Sequence, residues 1–151
     1  MSATPGKTQE INFYTVRAEL SDARDDQFFL VDLPGYGYAR APLAQRQAWR
    51  PLIEWYLSGT PELRGVVQLM DMRHGPTKDD LKMVEYLGGI GLPALFVLTK
   101  ADKLKRTQRA AKIARAVEQL GMGEEQVLPF SSLSGEGRAE LLESVEALLH
   151  G

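Results

Sequence analysis

Short apolar runs alternate with longer amphipathic segments along this chain. Three of the runs are rich in β-branched or aromatic residues and are bounded by Pro, Gly or Asp, a pattern that predicts strands buried on both faces. They lie at 28–31, 66–70 and 94–98. The run at 126–130 predicts a weaker strand, because Pro129 suits the edge or the end of a sheet. Apolar and polar residues alternate over 11–20, which predicts a half-exposed strand.

Helical periodicity fills the intervals between the later strands. The predicted helices lie at 43–57, 77–87, 107–120 and 137–149. In the first, Trp49, Trp55 and Tyr56 occur at helical spacing and are expected to be mostly core. Thr77, with Asp80 three residues later, forms a near capping box at the start of the second. Strands that alternate with helices imply an α/β fold with a mostly parallel sheet flanked by helices.

Composition narrows the class of protein further. The chain has 151 residues, 44% of them hydrophobic and 25% charged, which is ordinary for one soluble globular domain. It contains no cysteine, so a disulfide framework and a thiolate metal site are excluded. The net charge of -2 argues against a globally basic nucleic-acid binder but allows a local basic patch. We therefore expect residues 1–151 to form a single cytoplasmic domain.

Ligands of such sheets bind outside the carboxyl ends of the strands, so the residues after each apolar run are the candidates for chemistry. The first run ends in Asp32, Leu33, Pro34 and Gly35. An Asp at a strand end can hold Mg²⁺ through water, and a Gly three residues later can offer a backbone N–H to a terminal phosphate. The same four residues are also ordinary turn chemistry, and that alternative stays open.

The run at 94–98 is followed by Thr99, Lys100, Ala101 and Asp102. An Asp carboxylate accepts hydrogen bonds only, so it can take both the N1–H and the 2-amino group of guanine, a pair of donors that adenine lacks. The stem of Lys100 can lie along the base while its ammonium steadies neighbouring loops. The alternative is that Asp102 caps the following helix.

The last strand is followed by a serine-rich loop whose backbone N–H groups could reach the guanine O6. It contains Phe130, Ser131 and Ser132. Taken alone, this loop is more typical of a plain loop that caps the last helix. The three strand-end groups nevertheless occur in the order of the third, fourth and fifth motifs of Ras-like GTPases, each at its own predicted strand. Together they predict a fold that binds guanine nucleotide.

At this level of detail the sequence resembles one family, the EngB (YihA/YsxC-type) GTPases. The stretches that carry the resemblance lie at 4–9, 11–13, 31–39, 71–77, 98–104 and 130–133. The doubled Gly-Tyr over 35–38 and the Arg-His-Gly-Pro segment over 73–76 are more specific than generic GTPase motifs. The resemblance covers essentially the whole chain.

The resemblance implies a cytoplasmic switch that binds GTP or GDP with Mg²⁺ and acts in assembly of the large ribosomal subunit. Some members are linked to cell division and septation. The residues implied to contact nucleotide near the start of the chain are Gly6, Lys7, Thr8, Gln9 and Glu10. Thr8 and Asp32 would ligate Mg²⁺, and residues 32–35 would sense the γ-phosphate. No side chain is predicted to act as a catalytic residue.

The chain departs from the family in one respect, because it contains no Gly-x-x-x-x-Gly-Lys-Ser phosphate-binding loop. We expect the first, central strand, this P-loop and the first helix of the fold to be missing. We also expect Met1 to be an internal methionine of a longer protein. Three lost charge-assisted contacts, at roughly 1.5 to 3 kcal/mol each, would weaken GTP binding by about 10³- to 10⁶-fold. The alternative function is a truncated or pseudo-GTPase that acts as an RNA or protein interaction module.

A basic cluster follows the predicted guanine loop and is a candidate surface for ribosomal RNA. Its members are Lys100, Lys103, Lys105, Arg106, Arg109, Lys112 and Arg115. A solvated helix face is the alternative for this cluster. Arg73 and His74 follow a strand end and could also touch RNA, although a histidine in such a loop more often anchors it by a hydrogen bond.

Overall fold

The computed structural model describes residues 11–19, 25–33 and 43–150, apart from the side chains at 25, 45 and 46. Five strands and four α-helices occur in these residues. They are β1 (Asn12–Glu19), β2 (Asp25–Asp32), α1 (Leu43–Gly59), β3 (Val66–Asp71), α2 (Lys78–Ile90), β4 (Ala94–Thr99), α3 (Arg106–Leu120), β5 (Val127–Pro129) and α4 (Arg138–His150). Each predicted strand and helix is confirmed, with ends that differ by no more than a few residues.

The chain divides into two compact units, Met1–Glu62 and Leu63–Gly151. In the first unit β1 and β2 form an antiparallel pair, in which Asn12 lies opposite Asp32. In the second unit β3, β4 and β5 form a parallel sheet in that order. The single domain expected from the sequence stays a prediction.

The parallel sheet brings the carboxyl ends of its strands to one edge. Asp71, the last residue of β3, is in register with Thr99, the last residue of β4. Leu98 is in register with Pro129 at the end of β5. The residues that follow β4 and β5 therefore start side by side, as the sequence predicted for two loops of one site.

The core of the second unit lies between the parallel sheet and helix α3. Buried side chains of β3 and β4 pack with Ala116 and Leu120 of α3, and partly buried Leu81 and Val84 of α2 complete the cluster. The four residues Leu95 to Leu98 of β4 are all buried. Burial on both faces is thus confirmed for the strand that has a partner on each side.

Burial on both faces is wrong for the other two apolar strands. Phe29 of β2 is 69% exposed, and Leu69 of β3 is 63% exposed. In β3 only one face is covered, because Gln68 and Met70 are buried while Val67 and Leu69 face outward. An apolar run shows that both faces of a strand could be buried. Whether they are buried depends on which other elements pack against the strand, and the run itself does not specify them.

The first, central strand of the fold is expected to be missing from this sequence. Among the described strands, β2 pairs only with β1, and β3 pairs only with β4. The absence of that strand stays a prediction. In the described part of the chain no helix is long and apolar enough to cross a membrane.

Helix α1 of the first unit confirms most of the predicted apolar stripe. Trp49, Ile53 and Tyr56 are buried, and the ring of Tyr56 meets that of Phe13 edge-on at a centroid distance of 5.9 Å. Trp55 is exposed instead of core, because it lies one position before Tyr56, about 100° around the helix from the buried stripe.

Helix α2 begins and ends as its sequence predicts. The Thr77 hydroxyl accepts from the Asp80 N–H at 3.1 Å, and the Asp80 carboxylate accepts from the Thr77 N–H at 2.9 Å. The near capping box is therefore a complete one. Gly91 ends the helix in the left-handed region, with φ 70°, where a side chain would be strained.

Replacing Thr77 with alanine removes the acceptor for the Asp80 N–H. We expect the free energy of unfolding to fall by about 1 kcal/mol, the usual cost of losing such a cap. Chemical denaturation followed by circular dichroism measures this change. Thr77→Ser keeps the hydroxyl and is the matched control, so an equal loss in both variants would show that the cap is not the cause.

Candidate guanine-nucleotide site

The loops that follow β4 and β5 are joined by backbone hydrogen bonds. The Phe130 N–H donates to the Leu98 carbonyl at 2.8 Å, and the Ala101 N–H donates to the Phe130 carbonyl at 3.0 Å. Ala101 itself is fully buried. The ladder between the two strands therefore continues beyond their ends and fixes the loops against each other.

The backbone at Lys100 is the one non-glycine position with positive φ in the described residues, at 60°. Such a conformation is uncommon outside glycine, asparagine and aspartate, and it is often found at functional sites. It turns the chain sharply after Thr99 into a short 3₁₀ turn, Ala101–Lys103, which carries Asp102. The turn leaves the Asp102 side chain exposed at the sheet edge.

The carboxylate of Asp102 is held by a buried serine. The Ser131 hydroxyl donates to Asp102 Oδ1 at 2.7 Å, and the same hydroxyl oxygen accepts from the Ser134 N–H at 3.1 Å. Ser131 is fully buried. Asp102 does not cap α3, whose N-cap is Lys105, so that alternative is wrong. One bond orients the carboxylate and leaves it capacity to accept two further donors, as guanine recognition requires.

The serine loop offers fewer N–H groups than its sequence suggested. The Phe130 N–H donates to Leu98, and the Ser131 N–H donates to the Glu136 carbonyl at 3.0 Å. Within the described part of the chain the N–H of Ser132 has no acceptor, and Ser132 is exposed. Ser132 is thus the predicted residue of this loop whose N–H could reach a guanine oxygen.

An ionic cluster at the end of β3 lies beside the loop that follows β4. Asp71 accepts from Arg73 through both carboxylate oxygens, at 3.1 Å and 2.7 Å, and from the Arg73 backbone N–H at 2.9 Å. The ammonium of Lys100 is 3.5 Å from Asp71 Oδ2. Lys112 of α3 donates to the Arg73 carbonyl at 2.9 Å. Asp71 therefore connects the loop after β3 with the loop after β4.

The hydrogen bonds from Arg73 hold the pKa of Asp71 at about 2, below its usual value of 3.8, against the opposing effect of partial burial. The sequence did not single out Asp71 as a site residue. A carboxylate at a strand end with an arginine two residues later is the signal that could have found it. The pair also accounts for Arg73, which the sequence assigned only to RNA.

The other predicted site residues lie elsewhere. Asp32 ends β2 with an exposed side chain, and Leu33 follows it, both in the first unit. Seven further residues lie outside the described residues: Gly6, Lys7, Thr8, Gln9, Glu10, Pro34 and Gly35. In the described ranges no group of three or more acidic, histidine or cysteine side chains could hold a metal ion. Of the two predicted Mg²⁺ ligands, Asp32 is the one within the described residues, and its carboxylate is the hard oxygen donor that Mg²⁺ prefers.

The chain is similar to GTPases in sequence. Residues 1–100 match the family described as 50S ribosome-binding GTPase. The "Probable GTP-binding protein EngB" of Gemmatimonas aurantiaca is 46% identical over 149 residues, which cover 99% of this chain and 69% of that protein. The protein of the same name from Citrifermentans bemidjiense is 44% identical over 148 residues, 98% of this chain and 65% of that protein. The chain thus spans about two thirds of the length of these relatives.

Solved structures show the same fold. A crystal structure of a probable GTP-binding protein engB matches with a TM-score of 0.69 at 16% identity, over 91% of this chain and 84% of that chain. Era in complex with MgGDPNP and nucleotides 1506–1542 of 16S ribosomal RNA matches with a TM-score of 0.68 at 16% identity, over 96% and 46%. The predicted Ras-like α/β fold is confirmed.

Replacing Asp71 with asparagine removes the charge that binds Arg73 and Lys100. Because the folded pKa of about 2 lies below the usual 3.8, this carboxylate stabilises the fold above pH 4 and loses that effect as the pH falls through 2. For a partly exposed pair we expect a loss of about 1 kcal/mol at neutral pH. Denaturation of both proteins between pH 2 and pH 7 measures it.

The two unfolding curves should converge as the pH falls, since the protonated Asp71 side chain and the amide that replaces it are both uncharged. An NMR titration of the Asp71 carboxyl carbon gives the pKa directly. A value near 3.8, or a stability difference that does not change with pH, would show that the ion pair does not form in solution.

Proposed function

Because this chain belongs to the EngB family of GTP-binding proteins, we propose that it binds guanine nucleotide and acts as a switch in assembly of the large ribosomal subunit. The family assignment rests on the relatives at 46% and 44% identity and on the matched GTPase family. The observation that carries the nucleotide proposal is the Ser131–Asp102 hydrogen bond of 2.7 Å, which aims an acceptor at the edge of the parallel sheet.

The base is proposed to bind at the loops of the second unit. Asp102 accepts from N1–H and the 2-amino group of guanine, while the Ser132 N–H donates to O6. The stem of Lys100 lies along the base, and its ammonium stays with Asp71. Ala101, Phe130 and Ser131 support these groups through the hydrogen bonds that join the two loops, and the Thr99 hydroxyl ties the end of β4 to β3 by donating to the Met70 carbonyl.

The phosphates and Mg²⁺ are proposed to bind at residues of the first unit. Gly6 to Glu10 contact the nucleotide, Thr8 and Asp32 ligate the ion, and residues 32–35 respond to the γ-phosphate. Mg²⁺ would neutralise charge on the phosphates when bound.

The switch proposal follows from the residue after Gly35. Ras-type enzymes place a glutamine there to orient the attacking water, and this chain has Tyr36, which cannot do the same. Hydrolysis is therefore expected to be slow until a partner positions the water. Such behaviour suits a regulator of assembly, and the proposed link to cell division belongs to the same role.

Ribosomal RNA is the proposed partner of the basic cluster, and the structure divides that cluster in two. Lys100, Arg109 and Lys112 bind Asp71, Glu136 and the Arg73 carbonyl respectively. Four exposed cations have no side-chain partner among the described residues: Lys103, Lys105, Arg106 and Arg115. These four are the residues proposed to meet phosphates.

Titration with fluorescent GDP and GTP analogues, with and without Mg²⁺ and with ADP as the comparison, tests nucleotide binding. Asp102→Asn should weaken guanine binding about 10- to 100-fold, because one of two acceptors becomes a donor at roughly 1.5 to 3 kcal/mol. The same variant should gain binding of xanthine nucleotides, whose 2-oxo group accepts from the new amide. Glu118→Gln, an exposed carboxylate of α3, is the control.

Equal binding of GDP and ADP by the wild-type chain would overturn the guanine site. A folded chain that binds neither nucleotide would favour the alternative function, an RNA or protein interaction module.

The Lys103→Gln/Arg106→Gln variant tests the RNA surface. Its affinity for large-subunit ribosomal RNA should fall, and the slope of log affinity against log salt should decrease by about one to two, since each lost phosphate contact removes roughly one unit. Filter binding over a series of salt concentrations measures both. Lys78→Gln on α2 removes an exposed charge outside the cluster and is the control. An unchanged slope in the double variant would place RNA contact elsewhere.

A further inference from the structure

Arg109 differs from the other arginines of α3 because its charge is engaged inside the molecule. Its guanidinium forms an ion pair with the carboxylate of Glu136. The Arg109 side chain is 22% exposed, whereas Arg106 and Arg115 are exposed and have no such partner in the described ranges. An arginine that binds RNA phosphates needs a guanidinium that is accessible and unpaired. The ion pair with Glu136 therefore points to a structural role for Arg109.

Glu136 is the residue that closes the loop of Ser131. Its carbonyl accepts from the Ser131 N–H at 3.0 Å, and its own N–H donates to the Ser134 hydroxyl at 3.3 Å. The Gly135 N–H donates to the Ser131 carbonyl at 2.9 Å. Any movement of Glu136 is therefore transmitted directly to Ser131, which holds Asp102.

The residues on both sides of Glu136 are glycines in the left-handed region. Gly135 has φ 82° and Gly137 has φ 81°, conformations that glycine adopts without strain. Gly137 is required in addition for space, because a Cβ there would collide with the Pro129 carbonyl oxygen. The backbone of Glu136 is held by its hydrogen bonds to Ser131 and Ser134, and the ion pair with Arg109 adds the restraint on its side chain.

We propose that Arg109 is a positioning residue for guanine recognition, and that its ion pair with Glu136 fixes the 131–136 loop so that Ser131 orients Asp102. The inference rests on the proposed function, since guanine nucleotides are the ligands that this carboxylate would select. It replaces the expectation that Arg109 contacts RNA. One arginine of helix α3 thus holds the 131–136 loop in place. The exposed Arg106 and Arg115 of the same helix stay with the proposed RNA surface.

Amide hydrogen exchange of the nucleotide-free chain tests the brace without any ligand. In Arg109→Gln and Glu136→Gln the amides of Ser131, Ser134 and Gly135 should exchange about threefold to tenfold faster, as expected for loss of one partly exposed pair. The charge-swapped double variant Arg109→Glu/Glu136→Arg should restore slow exchange. Arg64→Gln, which removes an exposed arginine with no ion pair among the described residues, is the control.

Titration of the same variants with GDP tests positioning. Arg109→Gln should lower GDP affinity about threefold to tenfold and reduce selectivity over ADP, and the charge swap should recover both. If Arg109 bound RNA instead, the affinity of the chain for RNA would depend on the positive charge at position 109. The charge-swapped variant reverses that charge, so it would not recover RNA affinity. The chemical shift of the Asp102 carboxyl carbon reports the Ser131 hydrogen bond in each variant.

The outcomes separate this inference from the proposed function. Unchanged loop exchange in Arg109→Gln would overturn the brace, and a looser loop with unchanged GDP affinity would overturn the positioning role. A wild-type chain that fails to bind GDP, together with loop exchange that depends on the ion pair, would overturn guanine binding while the brace stands.

Discussion

The position of Asp102 depends on the burial of the Ser131 hydroxyl. A buried hydroxyl without partners would cost free energy, and here it both donates to the carboxylate and accepts from the Ser134 N–H. The two bonds can form together only if the loops after β4 and β5 keep their relative positions. The backbone bonds between Leu98, Phe130 and Ala101 provide that constraint. The position of Asp102, the candidate binding group, therefore depends on the geometry of the two loops, and that geometry depends on the register of the sheet.

The same edge of the sheet shows how charge is distributed. Asp71 binds two cations, Arg73 from the loop after β3 and Lys100 from the loop after β4. Its bidentate bond to Arg73 is of the stronger, charge-assisted type. Helix α3 contributes Lys112 to this cluster. The paired cations bind local acceptors and link the loops, whereas the unpaired ones of the basic cluster are those proposed to meet a polyanion. A run of like charges in the sequence therefore contains two physically different groups.

The sequence predicted well the elements and the strand-end loops that lie side by side, because both follow from local chemistry, while the guanine-binding role of those loops stays a prediction. Apolar runs, caps and strand-end residues such as Thr99 to Asp102 are contiguous, so a pattern can reveal them. The pairs Asp71 with Lys100 and Arg109 with Glu136 join residues 29 and 27 positions apart, and no local pattern encodes them. Exposure of Phe29 and Leu69 also escaped prediction, because the covering of a strand depends on other layers. The phosphate-side residues 6–10, 34 and 35 stay predictions.

The residues proposed to recognise the base and those proposed to bind the phosphates belong to different units of this chain. The groups proposed to read guanine, and the residues that hold them, all lie between Leu98 and Lys112 or between Phe130 and Glu136, apart from Asp71 and Arg73. All of these belong to the second unit. Their geometry is maintained by hydrogen bonds and ion pairs within that unit. In the proposed site, base selectivity would be set by the donors that the Asp102 carboxylate accepts, and total affinity by the number of phosphate contacts made elsewhere. Specificity and affinity are thus proposed to come from different residues of the chain, the first from Asp102 and the second from residues 6–10 and 32–35.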